Sequence, residues 1–508
     1  MLFNFCTYIL FLIFKVTLNA DQNNNNNIVS VNTTTGPING RKDIINDKEI
    51  IVFLGIPYAE PPVGYLRFKK PLPIKQWTEP FDANSWPNPC YQIESVFEMM
   101  NNNFSEDCLY LNIWSPDVKA SGDELRPVMF WINGGAFYIG SSSEVIFNAD
   151  ILSSIGDVVV VTFNYRLDAF GFLYTETDDA PGNMGLWDQA LALEWVNSNI
   201  KSFGGDPKRI TIVGHSAGSW SVSLHLLSPI TRNLFQNAII MSGAAFTHAS
   251  DWEPEVVMNS WLIGAESIKC VESNSSYTEF TPQIMKCLRK ADPELISRIA
   301  SLPDLSTPKL GWFRLTVIDG KFLPKKPIEM LKNGNFKKNV NLMVGSVEDE
   351  GSVFLNYFYG QEKYDFFNPK NFTFDEAFEE LEEFSTYFPA NIEVNGYEIS
   401  KIYFNGLSDN NDFDILRRTI GIALGDFYLT CPTIRFAEFL FSNDRNESNV
   451  FQYYYTSKLG NDHFCAKWMG ACHGSELSPL FGIPLRSNSS SEREKQISKQ
   501  MINLFANF

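Results

Sequence analysis

Residues Gly214-His215-Ser216-Ala217-Gly218 constrain this chain more than any other stretch. Just before them, Ile210-Thr211-Ile212-Val213 is short, β-branched and apolar, the pattern of a buried strand. Just after them, Trp220, Leu224 and Leu227 recur on one helical face that ends before Pro229. A serine between two glycines at a strand-to-helix turn has a physical meaning. The turn demands unusual backbone angles and close packing, which small residues tolerate. It lifts the hydroxyl clear of the sheet and puts the Ala217 N–H at a helix N-terminus. A chance match is the plain alternative in a chain with 32 glycines, and the strand-before, helix-after setting argues against it.

Strand-like and helix-like runs alternate along the chain at 127–132, 158–163, 185–196, 210–213, 238–241 and 342–344. That alternation predicts an α/β fold, a large, mostly parallel central sheet with helices on both faces. Residues 252–300 and 374–440 read as mostly helical, a cap region over the sheet. No linker or internal repeat divides residues 28–508, so they are expected to form one catalytic domain after an Asn-rich segment at 21–27.

The first 20 residues read as a secretory signal peptide: the apolar run is short, Lys15 interrupts it, and a polar stretch follows Ala20. An uncleaved anchor is the alternative, and no later stretch is long and apolar enough to span a bilayer. The expected location is therefore extracellular. Six N-x-Ser/Thr sites fit export, at Asn32, Asn103, Asn274, Asn371, Asn446 and Asn488. Beyond Cys6, seven cysteines remain, and Cys90/Cys108 and Cys270/Cys287 close short loops as disulfides do in an oxidising compartment. The spacings match no zinc pattern, and no metal or other cofactor is expected. A net charge of −18 argues against nucleic acid as a partner.

A serine nucleophile needs a base, and the base needs an orienting carboxylate, in the chain order Ser, acid, His for this kind of turn. Of the five histidines, His215 and His225 flank the serine, His248 follows closely, and His463 and His473 lie late. His473 precedes Gly474 in a turn-like stretch that suits a base on a loop; His463 sits in a polar loop. The acid should follow a late strand, and Glu348-Asp349-Glu350 follows residues 341–345. Side-chain chemistry alone does not choose among these three carboxylates. An oxyanion needs backbone donors, and a strand runs into the small-residue turn Asn133-Gly134-Gly135-Ala136-Phe137.

Residues 55–62 (Gly-Ile-Pro-Tyr-Ala-Glu-Pro-Pro), 106–112 (Glu-Asp-Cys-Leu-Tyr-Leu-Asn), the 133–137 turn, 203–207 (Phe-Gly-Gly-Asp-Pro) and the 214–218 turn together resemble the type-B carboxylesterase and cholinesterase-like family of the α/β-hydrolase fold. The resemblance covers roughly residues 28–508. It implies a triad of Ser216, Glu350 and His473 with oxyanion donors at Gly135, Ala136 and Ala217. It also implies support of the histidine by Ser242 and Glu476, an ion pair between Arg67 and Glu106, and disulfides Cys90–Cys108 and Cys270–Cys287. The reaction implied is ester hydrolysis through an acyl-enzyme on Ser216, with a small-molecule ester as the partner.

The chain also departs from the family pattern. The cholinesterases hold a Trp within the first disulfide loop, built for cation–π attraction to a quaternary ammonium. No Trp lies between Cys90 and Cys108 here, and Glu98, Met99 and Met100 occupy the approximate position. Val353 stands where a choline-site aromatic would follow the acid, and His215 where cholinesterases carry Glu. Tyr138 matches a gorge-mouth aromatic, and Phe354, with Trp312 or Phe313, is a candidate acyl-pocket wall. Asn133 replaces the His or Tyr that precedes the oxyanion glycines. Residues 499–508 resemble a helix after which relatives continue, so the domain reads as truncated at its C-terminus. Cys431 matches a cysteine whose family partner lies further on, while Cys465 and Cys472 are left to pair together or to compete for Cys431. The leading expectation is a secreted carboxylesterase. The alternatives are a cholinesterase-like enzyme and a binding or ester-sequestering member of the family.

Overall fold

A computed structural model of the chain describes residues 27–93, 98–119, 121–246, 253–272, 278–299, 316–356, 361–384, 394–444, 447–460 and 464–508. Its centre is an 11-stranded sheet. From one edge its strands run Ile28–Asn32, Pro37–Ile45, Lys48–Pro57, Tyr110–Ser115, Val159–Phe163, Arg126–Ile132, Gly205–His215, Asn237–Met241, Asn341–Val347 and Asn449–Tyr455, with a two-residue strand, Phe81–Asp82, beside the second. The first five pair antiparallel, and from Val159–Phe163 onward every pairing is parallel.

The period-two alternation of strand side chains sorts the core into two faces. From Arg126–Ile132, Val128, Phe130 and Ile132 enter one apolar cluster, and Met129 and Trp131 the other. Asn237–Met241 divides the same way, with Ala238 and Ile240 on one face and Ile239 and Met241 on the opposite one. Strands buried on both faces need helices on both, and that need is why the parallel half is nearly continuous in Val, Ile, Leu and Phe.

The 185–196 run lies within the helix Met184–Asn199, and the apolar face after the serine lies on Ala217–Leu227. The region expected as a helical cap contains Pro254–Ser267, Pro282–Lys290, Pro293–Ile296, Phe374–Phe384, Gly396–Tyr403, Phe413–Gly425 and Cys431–Asn443. A third apolar cluster joins Leu355, Leu381, Leu416, Ile420, Trp468 and Met469, so the later helices carry a core of their own. The final helix, Glu492–Ala506, opens with a Ser491–Glu494 capping box and buries Met501, Ile502 and Phe505. No helix among the described residues is long and apolar enough to cross a membrane. Residues 1–20, the Asn-rich stretch to position 26, Asn274 and Asn446 lie outside the described residues.

Register brings the functional loops to one edge. Gly214 pairs with Ile132 on one side and Ile240 on the other. The chain therefore leaves neighbouring parallel strands at the 133–137 turn, at Ser216 and at Ser242, all at their carboxyl ends. In open α/β sheets this is where ligand sites form.

Candidate active site

Ser216 sits at φ 58° and ψ −121°, a left-handed conformation that non-glycine residues adopt only under constraint. The constraint is visible in its neighbours. A Cβ on Gly214 would stand 2.2 Å from the Gly218 carbonyl oxygen, and one on Gly218 would stand 2.0 Å from that of Ile132. Only glycines let the helix Ala217–Leu227 start this close to the sheet. The Ser216 N–H donates to the Met241 carbonyl at 2.9 Å, which pins the turn to the next strand.

The 133–137 turn lies directly against the serine. A Cβ on Gly134 would come within 3.0 Å of Ser216 Cβ. Gly135 (φ 104°) and Ala136 (φ 53°) are both left-handed, and the Tyr138 and Ile139 N–H groups fold back onto the Gly135 carbonyl at 2.9 and 3.0 Å. Among the described residues, the N–H groups of Gly135, Ala136 and Ala217 form no backbone hydrogen bond outside regular elements. Three donors beside one hydroxyl can hold an oxyanion.

His473 Nδ1 is 2.7 Å from Glu350 Oε2, and Glu350 Oε1 accepts from the Val347 N–H at 2.9 Å. Glu350 is 1% exposed, and the His473 side chain 9%. With Nδ1 turned to the carboxylate, Nε2 is the nitrogen left for a substrate or a hydroxyl. It is buried and makes no hydrogen bond among the described residues. The three carboxylates of the acidic run differ in partner and burial: Glu350 meets His473, the buried Asp349 takes the Arg418 fork, and the partly exposed Glu348 lies 3.8 Å from the same guanidinium.

His215, the residue before the serine, packs against His473 with ring centroids 4.4 Å apart and planes tilted by 36°, and the Phe354 ring lies 5.1 Å from that of His473. Burial, and then the neighbouring His473, push the His215 imidazole well below its usual range, so it is neutral at physiological pH. Ser242 Oγ donates to Glu476 Oε1 at 3.3 Å, with both residues fully buried. Among the described residues no group of three or more His, Cys, Asp or Glu side chains is placed to hold a metal ion.

Cys90–Cys108 and Cys270–Cys287 are bonded, as expected. Cys465–Cys472 is a third disulfide, which leaves Cys431 free and exposed. Asn32, Asn103, Asn371 and Asn488 are all exposed.

The carboxylesterase family model matches residues 27–508. The chain is similar to an acetylcholinesterase of Leptinotarsa decemlineata, at 36% identity over 94% of this chain and 78% of that protein. It is 37% identical to a cholinesterase of Mus musculus, over the same shares of the two chains. An acetylcholinesterase-1 of Trittame loki is 34% identical over 94% of this chain and 85% of its own. The chain belongs to the carboxylesterase family.

The departures from the cholinesterase-like pattern have a place in the structure. Met99 bridges to Glu144, and the Val145 N–H donates to the Glu98 carbonyl at 3.0 Å, so the first disulfide loop packs against the segment that follows the 133–137 turn. Met99 is buried there. Asn133 Nδ2 donates to the Gly134 carbonyl at 3.2 Å, while the Asn133 carbonyl accepts from Tyr165 Oη at 2.9 Å. Tyr138 is 7% exposed. Trp312 and Phe313 lie outside the described residues. Arg67 and Glu106 form the expected buried pair, with Arg67 Nε 2.6 Å from Glu106 Oε2. Arg67 Nη1 also donates to the Leu288 and Ala291 carbonyls at 3.1 and 2.8 Å, tying this pair to the helical region.

Sequence reasoning missed Glu144. Its carboxyl accepts from the Ser141 N–H at 3.0 Å, and burial pushes its pKa up to about 8. Nothing local marks a glutamate between Ser143 and Val145 as buried; the signal lies in the disulfide loop that covers it.

Proposed function

We propose that this chain is a secreted serine carboxylesterase that hydrolyses carboxylic esters through an acyl-enzyme on Ser216. The observation that carries the reading is the 2.7 Å contact of His473 with the buried Glu350 at the same sheet edge as the strained Ser216 turn. Glu350 fixes the ring with Nδ1–H toward the carboxylate and stabilises the imidazolium when it forms. His473 Nε2 takes the Ser216 proton as Oγ adds to the ester carbonyl carbon. The oxyanion accepts N–H bonds from Gly135, Ala136 and Ala217. Collapse of the tetrahedral species breaks the ester C–O bond, and His473 returns the proton to the leaving alcohol. Water, deprotonated by His473, then attacks the acyl-enzyme, and the acid departs as Ser216 is restored. Ser242, just after the strand Asn237–Met241, and Glu476, three residues after His473, are bonded to each other and back this arrangement. Residues 1–20, the disulfides and the exposed N-x-Ser/Thr sites support export.

A cholinesterase-like reading is favoured by the names of the relatives. Against it stand the neutral His215 beside the nucleophile and the absence of any Trp between Cys90 and Cys108. Without a Glu before the serine and a Trp in that loop, two of the attractions a quaternary ammonium finds in cholinesterases are missing. The test compares turnover of a short aryl acetate and a thiocholine ester by the wild type and Ser216→Ala. Aryl-ester turnover that falls by about four orders of magnitude or more in the variant, with weak thiocholine turnover, is the expected result. Efficient thiocholine turnover would favour the second reading. A burst of one equivalent without steady turnover would favour a sequestering role.

A further inference from the structure

The loops that carry Glu350 and His473 are joined by more than the contact between those two side chains. The Asp349 N–H donates to the Ala471 carbonyl at 3.0 Å, and the Ala471 N–H donates to Asp349 Oδ2 at 2.9 Å. Arg418 closes a fork on the same carboxylate, Nε to Oδ1 at 2.7 Å and Nη2 to Oδ2 at 2.9 Å. Asp349 is fully buried, while the Arg418 side chain is 34% exposed. Ser352 Oγ reaches the Met469 carbonyl at 2.8 Å, and the Cys465–Cys472 disulfide closes one residue before His473. Asp349 thus lies immediately before the acid and is bonded two residues before the base.

The helix that supplies Arg418 is shaped for this contact. Arg418, Gly421 and Gly425 fall at i, i+3 and i+7 of Phe413–Gly425, one face. A Cβ on Gly425 would come within 2.6 Å of Glu350 Cβ, and one on Gly421 within 2.7 Å of Ser352 Cα. The two glycines therefore let the helix backbone lie on the acid loop, and Arg418 reaches over it to Asp349. Gly470 completes the fit: a Cβ there would stand 2.0 Å from Asp349 Oδ2 and 2.8 Å from Arg418 Nε.

We propose that Asp349 and Arg418 are positioning residues for catalysis: their bidentate ion pair clamps the Glu350 loop to the His473 loop, and so sets the angle and distance at which His473 faces Ser216. The inference rests on the Ser216–His473–Glu350 reading. A carboxylate this deeply buried would be costly without a partner, and a bidentate guanidinium fixes direction as well as charge. A misplacement of about 1 Å at the base can cost roughly a hundredfold in rate.

The test uses the full chain and the variants Arg418→Gln, Arg418→Lys and Asp349→Asn. Active sites are first counted by stoichiometric labelling of Ser216 with a fluorophosphonate, and steady-state rates on an aryl acetate are then expressed per labelled site. The expected result is a kcat per site at least about tenfold lower in Arg418→Gln, with KM within about twofold of the wild type. Arg418→Lys, which keeps the charge and loses the fork, is expected to fall between them. Arg418 is partly exposed, so its variants keep the test open even where Asp349→Asn fails to fold. Unchanged kcat per labelled site in Arg418→Gln, whatever its melting temperature, would overturn the clamp. The parent reading fails separately, through undiminished activity of Ser216→Ala or His473→Ala.

Discussion

Two buried groups near the nucleophile titrate in ways that follow from their surroundings. Glu144 is held protonated in the folded chain up to about pH 8, whereas an exposed glutamate ionises near 4.5. Between those values the unfolded chain holds fewer protons than the folded one. Stability therefore falls as pH rises from about 4.5 to 8, then levels off. Replacing Glu144 by Gln keeps the acceptor for the Ser141 N–H and removes the ionisation. Thermal melts of the variant should lose that component of the pH slope, gaining on the order of a few kcal/mol over the wild type near pH 8. Identical slopes in the two proteins would show that Glu144 is not the buried acid described here. His215 is the second such group. Burial keeps it neutral beside His473, so the position before the nucleophile offers no charge to a cationic ester. His215→Glu should raise kcat/KM for a thiocholine ester relative to an aryl acetate by about threefold to tenfold, an opposite charge a few ångströms from the ammonium being worth roughly 1 kcal/mol even under water-like screening. A ratio unchanged by the substitution would remove His215 from the account of specificity.

At the scale of elements, the turn around Ser216 depends on backbone approach that no side chain permits. Gly218→Ala puts a methyl 2.0 Å from the Ile132 carbonyl oxygen, inside the strand that feeds the oxyanion turn. The helix Ala217–Leu227 would have to move off the sheet, a cost beyond about 4 kcal/mol. Loss of fluorophosphonate labelling, together with a large drop in melting temperature, is the expected reading; near-wild-type values for both would contradict the packing. The disulfide between Cys270 and Cys287 links the helices Pro254–Ser267 and Pro282–Lys290. Changing both cysteines to Ser should lower stability by about 3 kcal/mol, the scale for a loop of this length, with little effect on kcat. Calorimetry with parallel kinetics checks both halves of that statement.

Across the molecule, what could be read from sequence was what is encoded locally. The 214–218 turn, its strand and its helix are contiguous, and their patterns stand out before any tertiary contact is known. The parallel strands at 127–132, 158–163 and 238–241 were legible for the same reason, since strands covered on both faces read as continuous apolar runs. The acid was not legible from side-chain chemistry. Glu348, Asp349 and Glu350 are adjacent and alike, and only burial and partners 69 and 123 residues away, the Arg418 fork on Asp349 and His473 on Glu350, distinguish them. The resemblance to a family pointed at Glu350, but it carried no signal for Arg418, whose role depends on where a helix lands. The burial of Glu144 shares that dependence on a distant covering segment, whereas Cys465 and Cys472 pair over seven residues, an option the sequence left open beside Cys431.

The central claim is that Ser216, His473 and Glu350 act as one catalytic unit, and one measurement addresses it directly. Wild-type protein, His473→Ala and Glu350→Gln would be treated with a fluorophosphonate, and the rate and position of labelling read by mass spectrometry. Rapid stoichiometric labelling on Ser216 in the wild type is expected, slowed by about a thousandfold or more in His473→Ala and by a smaller factor in Glu350→Gln. Labelling on another residue, or equal rates on Ser216 in all three folded proteins, would contradict the account.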